Sequence, residues 1–108
     1  MTKRMYVQLA PIRLKDGFDE KALLEASDAF QVSFVSKQQG IVKRELLKGQ
    51  DGGYADLVFF ESKDDADRVA RIEETSQECL EFFKIMKTPD ESLPDMGILS
   101  FEHIKTYA

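Results

Sequence analysis

The reading of this chain turns on Tyr54-Ala55-Asp56-Leu57-Val58-Phe59-Phe60-Glu61-Ser62. Leu57 to Phe60 is an unbroken apolar run with a glycine-rich segment before it and a polar helix start after it. Successive side chains of a strand point to opposite faces, so a run that is apolar at every position is covered on both. Tyr54 to Glu61 is therefore expected as a central strand, with Tyr54, Val58 and Phe60 on one side and Leu57 and Phe59 on the other. Asp56 breaks the apolar pattern, and a carboxylate in such a strand needs a partner.

Upstream, Gly49-Gln50-Asp51-Gly52-Gly53 joins this strand to Ile41–Lys48, a hairpin signal with a loop longer than the tightest type. Val42 and Leu46 alternate there with Lys43 and Glu45, as on a strand with one wet face. Downstream, Ser62 with Asp65 three residues later resembles a capping box. The helix it opens is expected to run on to Met86, with Val69, Ile72, Ser76, Cys79, Leu80, Phe83 and Met86 on its apolar stripe. Phe82 and Ile85 fall off that stripe and are expected to be exposed in a lone monomer, as part of a partner surface.

Near the start, Val7 and Leu9 alternate with Gln8 and Ala10, which predicts a strand over 4–14. Pro11 cannot donate to a ladder and belongs at a bulge or an unpaired strand end. Asp19 is the expected N-cap of a first helix, with Phe18 as the staple residue outside it. Leu23, Ser27, Phe30 and Phe34 form its buried stripe, and Gly40 is expected to close it in the left-handed conformation. Lys87 to Gly97 is a long irregular connection with two prolines, the kind of loop that often rims a binding site. Ile98 to Tyr107 is expected as the last strand, with Leu99, Phe101, His103, Lys105 and Tyr107 on one side.

The order strand, helix, strand, strand, helix, strand is the ferredoxin-like α+β pattern: a four-stranded antiparallel sheet with both helices on one face. Right-handed crossovers put the first and third strands in its centre. The whole chain, 1–108, is expected as one domain. Two helices cover only one face, and leaving about 600 Å² of the other wet would forgo on the order of 15 kcal/mol. A second copy packed sheet against sheet, a two-fold homodimer, answers this.

The 108 residues carry 15 Lys+Arg against 20 Asp+Glu, one His, one Cys and no Trp, for a net charge of -5. That balance argues against a nucleic-acid or anionic-membrane binder. No apolar run reaches the roughly 20 residues of a membrane span, and the first residues lack the apolar stretch of a signal peptide. A single cysteine excludes an internal disulfide framework and a multi-cysteine zinc site, so a reducing, cytoplasmic setting is expected.

The chain resembles the dimeric α+β barrel superfamily, and within it the antibiotic-biosynthesis-monooxygenase-like proteins. The resemblance spans nearly the whole chain. It is carried by the element order, Asp16-Gly17-Phe18-Asp19 at the entry to the first helix, the Tyr54–Ser62 strand-to-helix junction and a final run containing His103. It implies a barrel formed by two sheets in a dimer, with a small-molecule pocket between sheet and helices in each subunit. Several members oxidise aromatic or quinol-like substrates with neither metal nor flavin; others degrade haem, isomerise lactones or have no known reaction. The lack of Trp points away from haem degradation and Trp-dependent oxygenation.

His103 alone titrates near neutrality when unperturbed, so it is a candidate proton shuttle if its face lies under the helices; the alternative is a structural histidine near the sheet end. Asp56 is a candidate base or a partner for His103, or else a strand residue bonded to Arg44 or Lys43 opposite. Tyr6, Phe30, Phe34, Tyr54 and Tyr107 are candidate ligand-binding residues lining an aromatic-friendly pocket, or simply core. Cys79 reads as a small buried hydrophobe. The acidic run Asp64 to Asp67 lacks calcium-loop spacing and reads as helix-cap chemistry; the resemblance implies neither a bound metal nor another cofactor. The resemblance, with His103 as acid/base and Asp56 or a tyrosine assisting, implies a cofactor-independent monooxygenase-like enzyme acting on an apolar or aromatic molecule. The alternatives are a non-catalytic ligand-binding or stress-associated barrel module, and a purely structural oligomer.

Overall fold

In a computed structural model that describes residues 4–87 and 97–108, the Leu57–Phe60 run lies on a strand with a neighbour along each edge. The strands are β1 (Tyr6–Ile12), β2 (Ile41–Lys48), β3 (Tyr54–Phe60) and β4 (Leu99–Glu102), in the order β2-β3-β1-β4 and antiparallel throughout. The helices are α1 (Glu20–Ser33), α2 (Lys63–Glu73) and α3 (Gln77–Phe83). This is the expected ferredoxin-like α+β arrangement, with β1 and β3 central. The expected loop over 87–97 falls mostly outside the described residues.

Alternation divides the sheet into two unlike faces. Ile12 of β1 and Phe60 of β3 join Leu23, Phe30, Val69, Cys79 and Phe82 of the helices in one buried cluster. The other face carries Val7, Leu9, Leu57 and Phe59, together with Leu99 and Phe101, which remain about half exposed. The Lys43 ammonium stands 4.4 Å from the centre of the Phe59 ring on this uncovered side.

The capping expectations hold. Asp19 accepts from the Ala22 amide at 2.9 Å, and Ser62 accepts from the Asp65 amide at 3.2 Å while its hydroxyl donates to the Asp65 carboxylate at 2.8 Å. Pro11 pairs with Ala55 inside β1 rather than at a bulge. Met5 accepts from the His103 amide, and backbone groups alternate between strand edges, so the Pro11 nitrogen points to the same edge. Pairing with β4 has stopped there at Leu9↔Leu99, so the missing N–H disturbs no ladder.

Three expectations are corrected. The second helix is two helices. After Glu73 the chain kinks through Thr75, and Ser76 starts α3 by accepting from the Cys79 amide at 3.4 Å. A serine that caps competes with helix continuation. The break turns the following stripe, so Phe82 and Ile85 are buried (4% and 8% exposed) while Leu80 and Phe83 are exposed (52% and 40%). The last strand ends at Glu102, which leaves His103 to Ala108 outside the ladder.

Gly40 is left-handed (φ 91°) as expected, but α1 ends at Ser33 and a short 3-10 turn (Val35–Lys37) intervenes. The glycine instead sets the entry to β2. Its carbonyl accepts from the Glu61 amide at 2.8 Å, and a Cβ at this position would overlap the Asp65 side chain. Strain and overlap act together, so Gly40→Ala is expected to lower unfolding free energy by about 1–3 kcal/mol in urea titrations.

Candidate active site

β2 contains a bulge between Ile41 and Lys43, where an extra residue enters against β3. The bulge brings Ile41 and Arg44, three apart in sequence, onto the same helix-facing side. Arg44 thereby points into the space between sheet and helices. Its Nη1 donates to Asp56 Oδ2 at 3.0 Å, its Nη2 to the Ser27 carbonyl and hydroxyl at 2.9 and 2.8 Å, and its Nε to Gln31 Oε1 at 3.2 Å. The guanidinium carbon lies 5.2 Å from the Phe30 ring centre and 5.8 Å from that of Phe82, and those two rings stack at 4.4 Å. Of the three partners foreseen for Asp56 (His103, Arg44 and Lys43), Arg44 is the one it has.

The Arg44 and Asp56 side chains are 8% and 9% exposed. Burial pushes the Asp56 carboxyl above its usual range, and the neighbouring guanidinium opposes that shift. Glu73, at the end of α2, is half-buried beside the pair. Burial, reinforced by the charge of Asp56, raises its pKa from 4.5 to about 7. Asp56, Glu73, Phe82, Phe83 and Ile98 line two adjoining cavities of about 430 and 120 Å³. The larger also reaches Ile12, Met86 and Lys87; the smaller continues inward past Phe30, Phe34 and Arg44. The result is an aromatic cleft with two carboxyl groups and one guanidinium at its inner end.

Of the residues singled out from the sequence, Asp56, Phe30 and Phe34 meet here. His103 does not. Its amide bonds Met5, its Nε2 lies 2.9 Å from the Thr106 hydroxyl, and alternation puts it on the Leu99 and Phe101 side of the sheet, away from the helices. Asp56 pairs with Ala10, so the two stand about 17 Å apart along the strand and on opposite faces. The condition attached to His103 is thus unmet. Tyr54 donates to Glu20 at the hairpin end, where Lys48 also reaches Glu20 at 2.9 Å. Tyr6 lines a separate crevice with Arg4, Ser62, Lys63 and Glu102, and Tyr107 is 82% exposed against Lys105.

Glu73 is the group the sequence reading missed. It follows Val69 by four residues and Ala66 by seven, so the helical period places it on the buried side. An acid in that register was the available signal. Cys79 is fully buried, as expected, and burial raises its thiol pKa. Among the described residues no group of three or more His, Cys, Asp or Glu is arranged to hold a metal ion.

No family model matches this sequence, and no curated protein matches it. Solved structures do match in fold. A candidate antibiotic biosynthesis monooxygenase from Bordetella bronchiseptica aligns with TM-score 0.69 at 16% identity, over 96% of this chain and 99% of that one. One from Caulobacter crescentus aligns with TM-score 0.67 at 10% identity, over 96% and 93%. A conserved protein from Methanosarcina mazei aligns with TM-score 0.66 at 10% identity, over 95% and 96%.

Two stability outcomes follow. Removing one partner of a buried ion pair strands the other, so Arg44→Met is expected to cost about 3–5 kcal/mol in urea unfolding. The unfolded chain releases the Glu73 proton near pH 4.5 and the folded protein only near pH 7. Folding therefore loses stability as pH rises through that window, by on the order of 2–3 kcal/mol above pH 7. Glu73→Gln mimics the protonated acid. It is expected to match the wild type below pH 4.5 and to exceed it by that amount above pH 7, read from urea midpoints across pH.

Proposed function

We propose, from the premise that this chain has the fold of the antibiotic-biosynthesis-monooxygenase-like proteins, that it is a cofactor-independent monooxygenase-like enzyme. Its substrate is an apolar or aromatic small molecule held in the cleft between sheet and helices. The observation that carries this reading is the meeting of Glu73 and Asp56 in a cleft walled by Phe30, Phe82 and Phe83. Aromatic walls favour a flat apolar substrate, and a carboxyl group that titrates near neutrality suits general acid–base work.

In this reading Glu73 takes the proton. Its carboxylate removes one from a methylene group that is activated by an adjoining aromatic ring or carbonyl. The electron-rich carbanion reacts with dioxygen as co-substrate. Over the reaction the methylene loses two hydrogens and becomes a carbonyl; one oxygen atom enters the product and the other leaves as water. Asp56, held by Arg44, assists through its charge, which makes Glu73 a stronger base. A positioned base typically contributes 10²–10⁴-fold, so Glu73→Gln is expected to lower kcat by about 100-fold or more in oxygen-uptake assays over a panel of polycyclic aromatics with activated methylenes, with His103→Ala within about twofold of wild type. Full turnover by Glu73→Gln would overturn the assignment of the base, whereas binding without turnover by the wild type would favour the non-catalytic binding module.

The protein is also read as a homodimer through the uncovered sheet face. Leu57, Phe59, Leu99 and Phe101 form an apolar surface there, with Val7 buried beneath it. Sedimentation at micromolar concentration is expected to give twice the 12.3 kDa of one chain, and Phe59→Asp with Phe101→Asp to give a single chain. A wild-type particle of 12.3 kDa would remove the second copy from the account. The lone, buried Cys79 supports a reducing, cytoplasmic setting. No helix among the described residues is long and apolar enough to cross a membrane.

A further inference from the structure

Glu73 is an acid without a counter-ion. Among the described residues its carboxyl has no hydrogen-bond or ion-pair partner, and only burial and the charge of Asp56 act on it. It is half-buried at the end of α2 and lines both cavities. A desolvated carboxylate is costly unless a positive charge or a donor comes to it. The cleft has room for such a group, since its larger cavity, about 430 Å³, has the size of a small-molecule pocket.

The groups that face Glu73 do not supply that charge. Arg44 of β2 has all three guanidinium nitrogens engaged, with Asp56, Ser27 and Gln31. Asp56 of β3 adds a second negative charge, and burial keeps the nearby Cys79 thiol of α3 neutral. Arg13 and Lys87 belong to the outer mouth, where Arg13 pairs with Asp51 at 2.6 Å. The inner end therefore presents two carboxyl groups against one engaged cation, and its field favours a positive ligand over a negative one. Rings make the remaining walls. Phe30 and Phe82 stack at 4.4 Å, and Phe83, 40% exposed, lines both cavities. Ring faces attract cations as well as apolar surface.

We propose that Glu73 is the charge-pairing residue of the cleft, and that the ligand it selects is an aromatic molecule bearing a protonated amine. This rests on the cleft being the ligand site, and it adds the charge of the molecule that enters. A bound ammonium also holds Glu73 in the carboxylate form that a base needs.

Three bicyclic probes of similar size test it by calorimetry: 1-naphthylmethylamine in its protonated form, 1-naphthylmethanol and 1-naphthoate. At about pH 8 Glu73 is ionised, and the ammonium is expected to bind about tenfold or more tightly than the alcohol, with naphthoate weakest. At about pH 6 Glu73 is protonated, so the amine is expected to lose about tenfold in affinity while the alcohol stays within about twofold. Glu73→Gln keeps the shape and removes the charge, so the ratio of amine to alcohol falls toward one and no longer depends on pH. That variant is expected to be at least as stable as the wild type, and the wild-type ratio decides the matter without it. Equal affinity for amine and alcohol, tightest binding of naphthoate, or an unchanged ratio in Glu73→Gln overturns the charge pairing and leaves the aromatic cleft standing. Failure of all three probes to bind removes the cleft reading with it.

Discussion

Everything in the helix-facing layer is arranged around the guanidinium of Arg44. A buried cation must have its charge matched and its donors filled, or it costs more than the packing around it returns. Here one arm takes the Asp56 carboxylate from β3, the other takes the Ser27 carbonyl and hydroxyl from α1, and Nε takes Gln31 one turn further on. Two strands and a helix are thus tied at one point. The Phe30 and Phe82 rings pack over the guanidinium, which brings α3 into the same arrangement. The β2 bulge is what allows this, since without the extra residue Arg44 would point to the uncovered face.

The pairing has a consequence for the cleft beside it. Arg44 neutralises one carboxylate and has no arm left for a second. Glu73, packed against the same low-dielectric surroundings, keeps its proton to about pH 7 because its anion would face both burial and the charge of Asp56. Structure and chemistry are linked through this one imbalance. The ion pair that holds the sheet to α1 also sets the basicity of the neighbouring acid and leaves one Asp56 oxygen buried without a hydrogen bond among the described residues.

The two faces of the sheet divide the labour. The helix-facing side contains the cleft and most of the buried cluster. The other side is apolar, half-wet, and lined by cross-strand neighbours such as Val7, Phe59 and Phe101. His103 belongs by register to that second side, which separates it from the carboxyl pair.

Much of this was legible in the residues alone. Leu57 to Phe60 marked the central strand, Asp19 and Ser62 marked the helix starts, and Asp56 stood out as an acid needing a partner. These signals are local: strand alternation, helical period and side-chain caps act over a few residues and are written in consecutive letters. The break at Ser76 was harder, because its serine fitted the apolar stripe as well as it fitted a cap, and the burial of Phe82 and Ile85 followed from that choice. Residue pattern alone was enough to place the four strands, the central position of β3 and an unlike pair of sheet faces. That Glu73 would lie beside Asp56, and that His103 would not, followed from packing. Proximity and desolvation act through space, and they depend on a one-residue bulge and a helix kink whose effects appear only once sheet and helices are packed together.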